Sequence, residues 1–278
     1  MIEQHPDIDE QTPGGTHAAR LKLNRVPWTV QITFRGVLLT LIPWIAFNLL
    51  IGLMGNGAGP NKPLSFSDDL GTALGTIIFT ALIEGFFLLA PYYYANKTLV
   101  QESLQEGLTR TRALMHNLGL RAFSFVRLLP WLLGLIVLII AFGWLYELVI
   151  NFLHLNLHTN DQVILQDAPY EPLTTYAILA GSVVIAPFCE EIFFRGFVLP
   201  GLLRDLPPVW AIVISSALFA VAHTDLGSFV PLFAIGLCLG YVRWRTGSTW
   251  ASMSLHMLNN LLASVQIILA LHHILLPF

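Results

Sequence analysis

Charge is the scarcest feature of this 278-residue chain. Only 11% of its residues are Asp, Glu, Lys or Arg, whereas 55% are hydrophobic. A soluble domain carries roughly 25% charged residues, because it needs charge to cover its surface. The shortage of charge therefore excludes an ordinary soluble domain. The long apolar runs along the chain predict a protein whose partner is the lipid bilayer.

Cysteine and clustered basic residues are also scarce. Both cysteines, Cys189 and Cys238, fall within apolar segments, which argues against a disulfide framework. No block of Lys and Arg is present, so nucleic acid is not an expected partner. Residues 1–25 are polar and lack the apolar core of a signal peptide, and we interpret them as a flexible cytoplasmic tail.

Long apolar segments recur along the rest of the chain and predict its fold class. They lie near residues 28–54, 71–95, 127–153, 173–203, 208–225, 228–246 and 249–277. We therefore expect an all-α, polytopic transmembrane helical bundle of about seven spans. The expected division after the tail is a set of N-terminal transmembrane helices over 26–172, followed by a core over 173–278 that contains the last four spans.

The distribution of basic residues predicts the orientation of the spans. Nearly all of them flank alternate connections: Arg20, Lys22, Arg25, Arg35, Lys97, Arg110, Arg112, Arg121, Arg127, Arg204, Arg243 and Arg245. The other connections, 55–70, 154–172 and 224–228, contain one basic residue, Lys62. Because basic connections stay in the cytoplasm, we expect the N-terminus inside and the C-terminus outside.

The longest cytoplasmic connection, residues 96–126, has a helical pattern of its own. Leu104, Leu108, Leu114 and Leu118 recur at the spacing of one helix face. This pattern predicts an amphipathic helix that lies on the membrane surface.

Ionisable side chains within the apolar segments are the candidates for function. Each costs about 2.5–3.5 kcal/mol to insert into a bilayer, so it usually faces the protein interior or a water-filled cavity. They are Glu84, Glu147, Glu190, Glu191, Arg195, His223 and His256, with the polar Asn259, Asn260 and Gln266 beside them. Glu84 and Glu147 fit either a proton relay or ion pairs between helices.

Three of these charges lie in one stretch, FCEEIFFRGF at residues 188–197. On a helix, Glu191 and Arg195 are four residues apart and lie on one face, which predicts an ion pair. Glu190 is five residues from Arg195 and points away from it, so it needs a partner on another span.

The expected partners of Glu190 lie downstream. His223 ends the fifth span, and His256 and Asn260 share one face of the seventh. Counted at 1.5 Å per residue from the cytoplasmic ends, Glu190, His256 and Asn260 lie roughly 12–18 Å deep. His223 comes out near 24 Å, so the fifth span must tilt or begin below the membrane surface to bring it to the others.

Together these side chains suit the hydrolysis of a peptide bond. A carboxylate and an imidazole can share and deprotonate a water, while a second imidazole and an amide donate hydrogen bonds to the oxyanion. The set Glu190, His223 and His256 also contains the ligand types of zinc, although the H-E-x-x-H motif is absent. A proton-coupled transporter and a non-catalytic immunity or binding protein are the alternative interpretations.

Three motifs in this region resemble those of one protein family. EEIFFR at 190–195 is similar to the E-E-x-x-x-R signature of the CAAX protease and bacteriocin-processing (CPBP, or Abi) family. FAVAH at 219–223 and HMLNN at 256–260 resemble its second and third motifs, F-x-x-x-H and H-x-x-x-N. The order and spacing agree, and the resemblance covers roughly residues 173–265.

The resemblance implies an intramembrane endopeptidase related to the type II CAAX prenyl endopeptidase, with the last four spans as its catalytic core. Carried over by position, Glu190 and His223 activate the water, His256 and Asn260 stabilise the oxyanion, and Glu191 and Arg195 support the site. The implied partner is a peptide or protein substrate, either prenylated or bearing a leader. The family is commonly labelled a metalloprotease, but we expect no obligatory cofactor, with zinc as the alternative.

Overall fold

The computed structural model describes residues 26–54, 63–105, 109–155, 164–165, 168 and 171–272. Its principal helices are α1 (Val30–Met54), α2 (Phe66–Glu84), α3 (Phe86–Gln105), α4 (Arg110–Asn117), α5 (Phe125–Phe152), α6 (Pro172–Leu203), α7 (Pro208–Ala222), α8 (Phe229–Thr246) and α9 (Thr249–Leu271). No strand occurs among the described residues. The predicted all-α class is therefore confirmed.

The lengths of the helices show which of them can cross a bilayer. Five stretches are long and apolar enough: Val30–Ile51, Phe66–Ala95, Leu128–Phe152, Pro172–Leu203 and Thr249–Leu271. The fifth and sixth predicted spans correspond to shorter helices, α7 with 15 residues and α8 with 18. The chain is a multi-pass membrane protein.

The outer surface of the bundle is apolar, as a lipid-facing surface must be. Side chains on α1 and α5 that would be buried in a soluble protein are largely exposed, among them Leu53 at 75% and Phe152 at 81%. No soluble protein leaves so much contiguous apolar surface uncovered. The exposure agrees with the low charge of the sequence.

Helix α6 lies at the centre of the bundle's hydrophobic core. Phe193, Phe194 and Phe197 of this helix are fully buried. Phe87 on α3 packs against the first two, with ring centroids 5.3 and 5.6 Å away, and Trp28 stacks on Phe197 at 5.3 Å. Such aromatic contacts each contribute about 0.5–1.5 kcal/mol beyond the burial of their area, so they hold α6 in a fixed position.

A buried carboxylate fixes the first turn of α6. Asp69 on α2 accepts hydrogen bonds from the backbone N–H groups of Leu173, at 2.8 Å, and Thr174, at 3.0 Å. It also accepts one from the Thr174 hydroxyl at 2.8 Å. The first N–H groups of a helix have no partner within the helix, and a carboxylate there also interacts favourably with the helix dipole. Asp69 thus ties α6 to α2.

The start of α9 is fixed by the segment that precedes α5. The Thr249 hydroxyl donates to the Leu118 carbonyl at 2.6 Å, and the Thr249 N–H donates to Gly119 at 2.7 Å. Gly119 has a φ of +66° and lies against the Arg243 guanidinium, so a larger residue would be both strained and in collision. These contacts set the axial position of α9 and therefore of His256.

Two sequence predictions fall partly or wholly outside the described residues. The predicted tail, 1–25, lies outside them entirely. The predicted surface helix over 96–126 is divided among the end of α3, the eight-residue α4 and a non-helical stretch before α5. Leu118 is 5% exposed and belongs to the core rather than to a membrane surface.

Candidate active site

The two adjacent glutamates lie in the middle of α6, between two turns of π-helix. The π segments are Gly181–Ile185 and Ile192–Val198, and a short α-helical segment, Ala186–Glu191, separates them. A π turn inserts one residue into the helix, and such turns are frequent at functional sites. The face of the helix on which each carboxylate lies therefore depends on these insertions as well as on ordinary helical periodicity.

Glu191 and Arg195 form the predicted ion pair. Arg195 Nη1 donates to Glu191 Oε1 at 2.7 Å, and both residues are 0% exposed. The guanidinium also lies over the ring of Phe219, with 4.4 Å from Cζ to the ring centroid. A buried charge needs a partner of opposite sign, so the arginine and the carboxylate depend on each other for their place in the core.

Glu190 lies between two imidazoles, one from each of the other two motifs. Its Oε1 is 3.8 Å from His223 Nε2, and its Oε2 is 3.9 Å from His256 Nε2. Both distances are longer than a hydrogen bond. Glu190 is 6% exposed, and among the described residues its Oε2 has no hydrogen-bond partner. His223 is the most open of the three, with 24% of its side chain exposed.

The other nitrogen of each imidazole is fixed by an acceptor. His223 Nδ1 lies 2.8 Å from the carbonyl oxygen of Phe219, and His256 Nδ1 lies 3.1 Å from Oε1 of Glu191. A carbonyl and a carboxylate can only accept, so each Nδ1 carries the proton. The Nε2 of each ring is then the nitrogen that lies next to Glu190, with a lone pair in the neutral ring and an N–H in the imidazolium. The ring of Phe219 packs between both imidazoles, at centroid distances of 4.7 and 5.6 Å.

Asn260 has a partner that helical periodicity does not predict. Its Nδ2 donates to the carbonyl of Ser182 at 2.8 Å. In the π turn the N–H of Ala186 donates to Gly181, five residues back. In the same register the Ser182 carbonyl would need an N–H from residue 187, which is a proline and has none. The amide of Asn260 satisfies the carbonyl that the π turn leaves without a backbone donor.

A third carboxyl group lies near the site. Glu84, the last residue of α2, is 8% exposed, and its Oε2 has no hydrogen-bond partner within the part of the chain that the structure describes. It interacts electrostatically with Glu190 and with Cys189. Glu147, the other lone acid singled out in the sequence, is half-buried on α5 beside Tyr146. The sequence gives no signal that Glu84 lies near the site and Glu147 does not, because each stands alone in an apolar segment.

The side chains of the site include the donor types of a zinc centre. Two imidazole Nε2 atoms and a carboxylate oxygen without a hydrogen bond are donor types that zinc accepts. Within the described residues, however, no group of three His, Cys, Asp or Glu side chains lies close enough together to hold a metal ion. The donor types of Glu190, His223 and His256 therefore fit zinc, although the described residues show no assembled three-ligand group.

The structure thus brings together three of the four residues predicted to be catalytic. Glu190, His223 and His256 converge, with Arg195 and Glu191 behind them. Asn260 lies one helical turn beyond His256, where it donates to the Ser182 carbonyl and accepts from the Asn259 amide. Sequence reasoning missed the bond between Glu191 and His256, because nothing in a single sequence shows which residues of different helices meet.

Comparison with known proteins shows which sequences the chain resembles. Residues 172–262 match the family model described as type II CAAX prenyl endopeptidase Rce1-like. The chain is also similar to a Bacillus subtilis (strain 168) protein named "Putative membrane peptidase YdiL", with 29% identity over 101 residues. That alignment covers 36% of this chain and 40% of the relative, so the match spans less than half of either. No solved structure matches the chain.

These matches confirm the resemblance drawn from the three motifs. The matched segment begins with α6 and ends within α9, so it contains Glu190, His223, His256 and Asn260. Helices α1 to α5 lie outside it.

Proposed function

We propose that this protein is an intramembrane endopeptidase that hydrolyses a peptide bond of a membrane-associated substrate. The observation that carries the proposal is the position of Glu190 between the Nε2 atoms of His223 and His256, at 3.8 and 3.9 Å. These gaps are too long for direct hydrogen bonds. A water placed beside either pair can lie within about 3 Å of both atoms.

In this proposal Glu190 and His223 activate the water. The carboxylate of Glu190 accepts a proton from it, and the lone pair of His223 Nε2 is directed to the same place because Nδ1 donates to Phe219. The water attacks the carbonyl carbon of the peptide, and the proton then passes to the leaving amine. Acid–base catalysis of this kind contributes typically 10²–10⁴-fold to a rate.

The oxyanion is stabilised from α9. His256 already carries a proton on Nδ1, so to donate from Nε2 it must be an imidazolium. The carboxylates of Glu191 and Glu190 lie at its two nitrogens and balance that charge. Asn260 donates one of its two amide hydrogens to Ser182 and keeps a second for the oxyanion. Losing one such donor costs about 10²–10³ in rate.

The substrate is a peptide at the membrane, and either a prenyl group or a leader segment would bring it there. Support comes from the match of residues 172–262 to the type II CAAX prenyl endopeptidase model. The openness of His223 also supports it, because the scissile bond must reach Glu190 from that side. The site is proposed to work without an obligatory metal. Zinc is the alternative, and cleavage in the presence of a chelator tests it.

A comparison of peptide termini tests the proposal. Membranes that contain the wild-type protein and membranes that contain Glu190→Ala at equal abundance are analysed by mass spectrometry of new N- and C-termini. We expect a small set of termini from membrane-associated proteins that occurs only with the wild type. Identical sets of termini from the two membranes would refute the endopeptidase activity and favour a transporter or a binding protein.

A further inference from the structure

His223 lies partly exposed at the end of a helix. It directly follows Ala222, the last residue of α7, and begins the turn over residues 223–228. Thr224 has a φ of +52°, a left-handed conformation that is unfavourable for a β-branched residue. Within the turn, Asp225 Oδ1 accepts from the N–H groups of Gly227 and Ser228 at 2.9 and 3.2 Å. Helix ends of this kind fray unless their last carbonyls find donors.

Each of the last four carbonyls of α7 does have a donor. Three of the donors belong to the two residues that directly follow α7. His223 Nδ1 donates to Phe219, the His223 N–H to Ala220 and the Thr224 N–H to Val221. The fourth comes from a distant helix, because the indole Nε1 of Trp44 on α1 donates to the Ala222 carbonyl at 2.9 Å. The peptide group that joins Ala222 to His223 is thereby held by a side chain of the N-terminal helices.

A second tether holds the other end of the turn. The hydroxyl of Tyr146 on α5 donates to the Gly227 carbonyl at 2.6 Å. The turn that carries His223 is therefore bonded on both sides to helices that precede α6. Both donors lie outside residues 172–262, the segment that matches the family model.

We propose that Trp44 is a positioning residue for His223, and that Tyr146 is a secondary one. The inference rests on the proposed function, because it assigns these two residues to the same catalytic site. Trp44 is itself held in place, since its ring packs against Phe87 at a centroid distance of 4.9 Å. A rigid donor on the last turn of α7 fixes the direction of the His223 imidazole toward Glu190. The N-terminal helices thus contribute to the geometry of the site without touching the reacting atoms.

The test is Trp44→Phe, which keeps an aromatic ring against Phe87 and removes the N–H donor. We expect kcat to fall between about tenfold and a hundredfold with KM little changed, because a small displacement of a catalytic group lowers the rate by that order. Hydrogen–deuterium exchange of the peptide that covers residues 219–229 should become faster in the same variant. Tyr146→Phe should increase exchange there with a smaller effect on kcat.

Trp28→Phe is the matched control. The indole of Trp28 donates to the Phe197 carbonyl at 3.0 Å, a bond of the same kind that does not involve α7. We expect this control to lower thermal stability while kcat and the exchange of 219–229 stay at wild-type values. If Trp44→Phe keeps the wild-type kcat, or if the two variants lose kcat equally, the positioning role is refuted.

The exchange measurement separates this inference from the proposed function. If the wild-type protein cleaves nothing, the proposed function fails, whatever the variants do. Unchanged exchange of residues 219–229 in Trp44→Phe would overturn the positioning role, because a released helix end must exchange faster.

Discussion

His256 and Glu191 share a hydrogen bond of 3.1 Å between Nδ1 and Oε1, and the same carboxylate oxygen accepts from Arg195 at 2.7 Å. Glu191 therefore has two partners of different kinds. Towards Arg195 it supplies the counter-charge that keeps a guanidinium in the core. Towards His256 it holds the Nδ1 proton and the orientation of a ring whose other nitrogen lies 3.9 Å from Glu190.

We predict that Glu191→Gln lowers both stability and activity. Breaking a buried ion pair by removing one partner typically costs about 3–5 kcal/mol, because Arg195 would remain charged without a counter-ion. The cleavage rate should fall as well, since an amide holds the Nδ1 proton of His256 less strongly than a carboxylate does. Unfolding in detergent and the cleavage rate of the same preparation measure the two effects.

The double variant Glu191→Gln with Arg195→Met separates the two roles. Methionine removes the unpaired charge and keeps an apolar side chain in the core, so most of the lost stability should return. The cleavage rate should remain low, because His256 still faces an amide. Recovery of both stability and activity would show that Glu191 serves Arg195 alone.

Helical periodicity predicted part of this site. The pairing of Glu191 with Arg195 follows from their separation of four residues, and the structure contains it. The bond from Asn260 to Ser182 depends on a π turn, and a period of 3.6 residues cannot reveal an inserted residue. Contacts between helices, such as that of His256 with Glu191, depend on how the bundle packs and are not encoded by local pattern.

The position of His223 illustrates the same limit. Counting residues gave it a depth near 24 Å, so the fifth span had to tilt or begin below the membrane surface to bring it to Glu190. The structure brings the two side chains within 3.8 Å of each other. The length of α7 was predictable from Pro208 and Gly227, but its axial position relative to α6 was not.

We predict that Glu190→Gln abolishes cleavage and leaves the fold intact. The amide keeps the shape of the side chain and cannot act as a base. Neither imidazole lies within hydrogen-bond distance of Glu190, so the substitution removes no direct bond. The free energy of unfolding should stay within about 1 kcal/mol of wild type. A loss of stability as large as that of Glu191→Gln would contradict the division of roles between the two carboxylates.

Asn260→Ala tests the oxyanion role. We expect kcat to fall by about 10²–10³ with KM little changed, as for the loss of one oxyanion donor. The variant also leaves the Ser182 carbonyl without its donor, which costs about 1–3 kcal/mol of stability if no water replaces it.

A change at Pro187 separates the two consequences of losing Asn260. Alanine at position 187 has an N–H that can reach Ser182 in the π register, so Pro187→Ala with Asn260→Ala should regain part of the stability. It should not regain kcat. A double variant with the wild-type rate would show that Asn260 acts only by supporting the helix.

The topology prediction concerns the side of the membrane on which the connections lie. We expect reporter fusions at residue 160 and at the C-terminus to report the outer side, because the basic residues flank the other connections. Both fusion sites lie outside the described residues. A fusion at Arg245, at the end of α8, serves as the cytoplasmic control. A cytoplasmic signal from residue 160 or from the C-terminus would contradict seven spans with the N-terminus inside.

The last prediction concerns metal. A catalytic zinc needs three protein ligands at about 2.0–2.2 Å and an open position for water. The metal-free mechanism needs only a base beside the water, and Glu190 and His223 supply it. We expect the purified protein to cleave its substrate in the presence of a strong chelator, with no stoichiometric zinc by elemental analysis.

Metal content and cleavage rate, measured on two variants, further distinguish a zinc mechanism from a metal-free one. Asn260 is diagnostic, because its amide is a poor zinc ligand and a good hydrogen-bond donor. If zinc performed the chemistry, His256→Ala would lose both the metal and the activity, and Asn260→Ala would keep the metal. If the carboxylate performs it, the two variants lose activity with no change in metal content. Stoichiometric zinc, together with activity that a chelator stops and zinc restores, would contradict the mechanism while leaving the hydrolytic reaction in place.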